Sequence, residues 1–260
     1  MSRKKRKEKC NKYRREQEQQ SMSQRHSTSH LRVIQGGEVL QRQRKREVEI
    51  TPRNFKQDDM LGYLTSPDVN ITFAIGPAGT GKTLMATLHA IRELKAGRIN
   101  KLVITRPAVC ADEEHGFLPG TLQEKMAPWV RPMMDIFEEY YTPEQIEYML
   151  QDNKIEIAPL AYMRGRTFKH AIILADEMQN ATDNQMKMLL TRLGEGSQMV
   201  VTGDIDQTER GFEQNGLRRF CERMHNRKSD RIKTVDFTGQ GIERHPVVGE
   251  VLDIYGEDEQ

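Results

Sequence analysis

The stretch "ITFAIGPAGTGKT" at residues 71–83 constrains the fold more than any other part of the chain. An apolar, β-branched run feeds directly into three glycines, a lysine and a threonine. A short run of this kind reads as a buried strand, and the glycines supply the positive φ that a tight loop needs. Gly76, Pro77, Ala78, Gly79, Thr80, Gly81, Lys82 and Thr83 fit G-x-x-x-x-G-K-[ST] in full. In strand–loop–helix context this is a phosphate-binding loop. Its backbone N–H groups turn inward on phosphate oxygens, and the following helix adds its positive end. Lys82 is expected on the β/γ-phosphates of ATP and the Thr83 hydroxyl on Mg2+.

A loop of that type needs a parallel sheet to sit on, and the rest of the chain supplies one. "KLVIT" (101–105), "KIEIA" (154–158), "AIILA" (171–175), "QMVVT" (198–202) and "IKTVDF" (232–237) are further short apolar runs. Near-continuous hydrophobicity suits strands covered on both faces. Helical signals fall between them. Leu84, Leu88, Ile91 and Lys95 recur at helical spacing before a stop at Gly97. "TPEQ" (142–145) and "TDNQ" (182–185) are capping boxes, the second opening a helix expected to close at Gly194. The alternation predicts an α/β P-loop NTPase with a RecA-like, doubly wound, mainly parallel sheet.

Charge divides the chain. Residues 1–50 hold 15 Lys/Arg against 6 Asp/Glu, a net of +9 in a chain whose total is +2, which leaves −7 for the remainder. Residues 1–47 therefore read as a basic, flexible N-terminal arm and 48–256 as the ATPase domain. The arm is either a solvated tail or a gatherer of nucleic-acid phosphate, which charge alone does not separate. Cys10, Cys110 and Cys221 show no metal-ligand spacing and read as free thiols. With no apolar run long enough to span a bilayer, the expectation is a cytoplasmic protein with no membrane partner.

Two more strand ends carry chemistry. "AIILADEMQN" (171–180) places Asp176 and Glu177 where a buried run stops. Buried charge is costly unless paired or metal-bound. Asp176 is the expected second Mg2+ ligand and Glu177 the base that positions or deprotonates the attacking water. "MVVTGDIDQ" (199–207) ends another strand, and Gln207 beyond it is placed to touch both γ-phosphate and lytic water. No N-K-x-D loop follows a strand, which speaks against GTP. The glutamate after Asp176 speaks for hydrolysis over transfer to a small substrate.

Taken in order, "GPAGTGKT", "ITRPAV" (104–109), "GFLPGTLQEKMAPWVRP" (116–132), "APLAYMRGRTF" (158–168), "DEMQN", "QMKMLLTRLG" (185–194), "VVTGDIDQ" and "RHPVV" (244–248) resemble the PhoH-like ATPases over residues 50–256. The core of that family is similar to one RecA-like half of a superfamily 1 helicase. The resemblance implies that Lys82, Thr83, Asp176, Glu177 and Gln207 form a hydrolytic centre. Gln57 of "PRNFKQ" would bond adenine, and Arg244 of "RHP" would act as an arginine finger from a neighbouring subunit of a hexameric ring. The alternative for Arg244, the less favoured of the two, is an ordinary surface charge. Arg106, Arg164 and Arg166 would contact nucleic-acid phosphate or a subunit interface. Trp129 reads as packing a loop between Pro128 and Pro132 in preference to stacking on a base. Met178 and Glu243 depart from the family pattern. The basic arm stands where some relatives attach a nuclease-like domain, so endonuclease activity is not implied. The expected function is an ATP- and Mg2+-dependent hydrolase coupled to RNA or single-stranded nucleic acid. The alternative is an ATP-gated assembly or adaptor switch that unwinds nothing.

Overall fold

The alternation of strand and helix runs through the computed structural model as α1 (Phe55–Thr65), β1 (Ile71–Ile75), α2 (Lys82–Lys95), β2 (Lys101–Arg106), α3 (Leu122–Glu138), α4 (Pro143–Gln151), β3 (Ile155–Pro159), β4 (Ala171–Ala175), α5 (Asp183–Leu190), β5 (Gln198–Gly203), α6 (Gly216–His225) and β6 (Ile232–Asp236). Short 3-10 turns lie at Leu160–Met163 and Met178–Asn180. The structure describes residues 47–107, 122–207, 215–225, 227–238 and 247, all in the unit that begins at Glu47. The basic arm, Cys10, Cys110, Glu243 and Arg244 fall outside the described residues.

All six strands are parallel and lie in the order β3-β2-β4-β5-β1-β6. Side chains alternate between the two faces of a strand, so each strand feeds two cores. Ile71, Phe73 and Ile75 of β1 join Met186 and Leu189 of α5 and Leu217 of α6 on one face. Ala74, between them, joins Met60 of α1, Ile91 of α2 and Phe137 of α3 on the other. Both faces are therefore covered, which is the doubly wound α/β P-loop NTPase fold. Phe73 is wholly buried and stacks on Phe220 with ring centroids 4.9 Å apart. A buried aromatic of this size contributes about 2 kcal/mol through area alone.

Capping places the helix ends where the sequence marks them. Thr142 and Thr182 both form the reciprocal capping box, each accepting from a backbone N–H at N3 while Gln145 or Gln185 reaches back. After Lys95, Gly97 takes φ +67 and donates to the Leu94 carbonyl, and Arg98 N–H reaches the Glu93 carbonyl. That is a glycine-dependent helix stop.

Two local expectations fail. Helix α5 ends at Leu190, four residues short of Gly194. Gly194 instead donates to the Phe168 carbonyl at 2.7 Å, and a Cβ there would stand 2.4 Å from that oxygen. Its role is close approach, not capping. Trp129 lies in a helix, not a loop. Pro128 and Pro132 are both inside α3. Met126, Val130, Met133 and Phe137 form its apolar stripe, and burial of that stripe outweighs the amide donors the prolines lack. Trp129 is half-buried against the same cluster.

Candidate active site

Strand order brings the chemistry together. β5 lies between β1 and β4, hydrogen-bonded to both. The loop after β1, the acidic pair after β4 and the end of β5 therefore share the carboxyl edge of three adjacent strands, where open parallel sheets bind ligands.

The loop after β1 is shaped by its glycines. Gly76, Gly79 and Gly81 take φ +138, +83 and +84. A Cβ on Gly76 would also meet the Phe237 Cβ at 2.8 Å. Inside the loop, the Lys82 ammonium donates to the Gly76 and Pro77 carbonyls, both at 2.6 Å, and to the Thr80 hydroxyl at 3.2 Å. The lysine is buried. Desolvation pushes its pKa below the usual 10.5, while the nearby carboxylates Asp204, Glu177 and Asp176 pull it back.

Thr83, at the start of α2, donates to Asp176 Oδ1 at 3.0 Å. Thr202 of β5 donates to the same oxygen. A hydroxyl and a carboxylate oxygen held together are hard oxygen donors, which fits Mg2+. That ion takes few protein ligands and keeps the rest for phosphate and water.

Glu177 takes φ +53, a left-handed conformation that a side-chain-bearing residue adopts only under constraint. The constraint is visible. Gln179 is buried, and its Nε2 donates to Glu177 Oε2 at 2.5 Å while its Oε1 accepts from the Asp204 amide at 3.1 Å. One amide thus ties Glu177 to the end of β5. Asp204 Oδ1 accepts in turn from the Asp206 amide.

These groups line a single cleft of about 250 Å³. Ala78, Gly79, Gly81, Lys82, Thr83, Asp176, Glu177 and Gln207 are in it, as are Leu84, Gly203 and Asp204. Gly76, Pro77 and Thr80 stand behind the loop as backbone or hydroxyl partners of Lys82. Sequence reading did not include Thr202, Gln179 or Asp204 among the site residues. Asp204 carried a usable signal, as an acid closing an apolar run, but Gln179 becomes visible only once β4 and β5 are adjacent.

The remaining candidates separate. Gln57 touches the loop, but both ends of its amide are engaged by protein. Its Nε2 donates to the Thr80 carbonyl at 3.0 Å and its Oε1 accepts from Arg53 N–H at 2.9 Å. It ties α1 to the phosphate loop. Arg106 donates to the Trp129 carbonyl at 3.4 Å. Arg166 forks onto Glu156 at 2.5 and 2.8 Å and lies 4.6 Å over the Phe168 ring, whereas Arg164 is exposed. Arg244 lies outside the described residues.

Comparison with known proteins agrees over most of the chain. The family model described as PhoH-like protein matches residues 49–256. A PhoH-like protein of Synechocystis is 41% identical over 218 residues, covering 84% of this chain and 65% of that one. A PhoH-like protein of Mycobacterium tuberculosis is 43% identical over 218 residues, covering 83% and 60%. The chain thus spans about three-fifths of the length of the curated relatives it matches. Among solved structures, Pif1 helicase from Candida albicans aligns over 80% of this chain and 44% of its own, at 16% identity and TM-score 0.38.

Proposed function

This chain belongs to the PhoH-like protein family, and on that premise we propose that it hydrolyses ATP with Mg2+ and couples hydrolysis to RNA or single-stranded nucleic acid, as a homo-oligomeric ring. The observation that carries the reading is the cleft. One ammonium, one hydroxyl–carboxylate pair and one conformationally constrained glutamate converge on it from the ends of β1 and β4, and Asp204 and Gln207 join them from the end of β5 between.

Its size suits part of a nucleotide. At about 250 Å³ it is smaller than pockets that enclose whole drug-sized ligands, about 300–1,000 Å³. It would enclose the phosphates and leave the base at the rim. The loop amides and Lys82 would hold the β- and γ-phosphates, and Lys82 would exchange carbonyl partners for phosphate oxygens. Thr83 and Asp176 would hold Mg2+, which when bound neutralises charge on the phosphates and orients them. Glu177, pinned by Gln179, would orient a water and accept its proton. Gln207 would report on the γ-phosphate, and Gln57 would read adenine by giving up its bond to Arg53. Arg244 would complete the site from a neighbouring subunit, since a heterologous contact that closes makes a ring.

Steady-state hydrolysis at low and high salt, with and without single-stranded RNA, tests the coupling. Stimulation by RNA that fades with salt is the expected result, because phosphate contacts release counterions. Hydrolysis indifferent to RNA at either salt would contradict it and leave an ATP-timed protein switch.

A further inference from the structure

We infer that the groove between the 3-10 turn Leu160–Met163 and helix α5 is the seat of single-stranded nucleic acid on this chain, gripping phosphate through Arg164, Lys187 and Arg192 and stacking a base on Tyr162. The inference rests on the nucleic-acid reading above and gives it a location.

The groove is open, about 790 Å³, and contains Arg164, Lys187 and Arg192 but, among the described residues, no carboxylate. What matters is that none of these charges is held in a contact ion pair among the described residues, although Lys187 acts on Asp183 at a distance. Arg192 donates from Nε, Nη1 and Nη2 to the Met188 carbonyl, the Arg166 carbonyl and the Thr191 hydroxyl, at 3.0, 3.2 and 2.9 Å. Every one of those acceptors is neutral, so the guanidinium is fixed in place while its charge remains available. Lys187 and Arg164 have no ion-pair partner among the described residues. Asp183 is one helical turn from Lys187, but Arg223 already forks onto it at 2.6 and 3.0 Å.

Local backbone geometry separates two arginines that look equivalent in sequence. Gly165 takes φ +78 between them. Arg166 turns to the Glu156–Lys101 cluster and is neutralised there. Arg164 is left exposed on the groove. Tyr162, in the same turn, is 60% exposed, one of five exposed large apolar side chains among the described residues. A groove holding three cations, bordered by a turn that also carries an exposed ring, fits a polyanion with π-faces, which is single-stranded nucleic acid and not an acidic peptide. Duplex is disfavoured, because its bases are stacked on one another and offer the ring nothing.

The test uses the full chain and a fluorescein-labelled oligouridine, with anisotropy read across about 50–200 mM salt. Arg164→Gln/Lys187→Gln should weaken binding and reduce the slope of log affinity against log salt by about 1.4, two contacts at about 0.7 each on a single strand. Tyr162→Ala should weaken binding about tenfold with the salt slope unchanged, since stacking carries no counterions. Lys154→Gln, at a charge already paired with Asp152, is the control and should change neither. Because substituted chains can misfold, wild-type protein is also cross-linked to a thiouridine oligomer and the peptides mapped. Adducts within residues 160–170 or 184–192 support the groove. Adducts confined elsewhere, or a double variant with wild-type affinity and slope, overturn it while the nucleic-acid reading survives. Wild-type protein that binds no oligouridine would overturn both.

Discussion

The two ends of β5 face opposite poles of the sheet, and polar groups are buried at both. At its start Gln198 donates to the Leu64 and Val69 carbonyls at 3.1 and 3.3 Å. Its oxygen must then be the acceptor toward His89 Nε2, 2.8 Å away. That fixes the tautomer: Nε2 carries the proton, and Nδ1 accepts from Arg92 Nη2 at 3.2 Å. Burial and the neighbouring arginines hold the imidazole below its usual 6.5, against its Gln198 bond and Glu93. Glu93 is paired with Arg98 at 2.6 Å. At the other end Lys82, Asp176, Glu177 and Asp204 crowd one open cleft. Burial of polar side chains therefore does not mark a site. At the His89 pole the amide, imidazole and carboxylate answer one another and hold α1, α2 and β5 together, while Arg92 Nε has only an ion pair to Glu93 at 3.6 Å and no hydrogen bond. Those groups also line an open groove of about 710 Å³, so access does not separate the poles. What does is pairing: the Lys82 ammonium bonds the loop carbonyls, which leaves Asp176, Glu177 and Asp204 beside it in the cleft without a contact ion pair among the described residues.

The sharpest way to break this contrast is Lys82→Ala. Loss of the one cation that lines the cleft among the described residues should reduce ATP hydrolysis by about a hundredfold or more, read as turnover at saturating ATP. Gln179→Ala comes next. It frees Glu177 without removing it, so turnover should fall about tenfold while the affinity for a fluorescent ATP analogue stays put. Equal losses in both would make Gln179 a folding residue only. Gln198→Ala should do the reverse of Lys82→Ala. Three bonds to buried groups are lost, costing about 1–3 kcal/mol in denaturant unfolding. Turnover per folded molecule should be unchanged, and a drop in turnover would mean that the two poles are coupled.

The smallest effect concerns the pair that neutralises Arg166. The Arg166 fork, with Lys101 behind it, holds the Glu156 carboxyl at about 2, below its usual 4.5. A depressed folded-state pKa contributes stability that is present above pH 4.5 and lost as pH falls toward 2. Glu156→Gln should therefore unfold less steeply with acid over that window. The pair is partly solvated, which keeps the difference to about 1 kcal/mol.

The sequence carries most of the sheet, because six apolar runs in a chain this charged have nowhere to go but a buried layer. It carries the phosphate loop for a different reason: glycine spacing encodes backbone angles directly, and Gly76, Gly79 and Gly81 adopt them. It misleads at α3, where Pro128 and Pro132 argue against a helix that its buried stripe nevertheless stabilises. It is silent on Gln179 and Thr202, whose partners lie on a different strand, since nothing local tells which strands become neighbours. Nor does it distinguish Arg164 from Arg166, because the carboxylate that neutralises one of them sits ten residues away on β3.

The central claim, that the carboxyl edge of β1, β5 and β4 is an ATP-hydrolysing centre, rests most directly on Glu177. The decisive measurement is Mg2+-dependent ATP hydrolysis by Glu177→Gln beside wild type, with ATP-analogue binding followed on the same samples. Turnover lower by about a hundredfold or more, with the analogue still bound, is what this geometry requires of a general base. Turnover at the wild-type rate would contradict it.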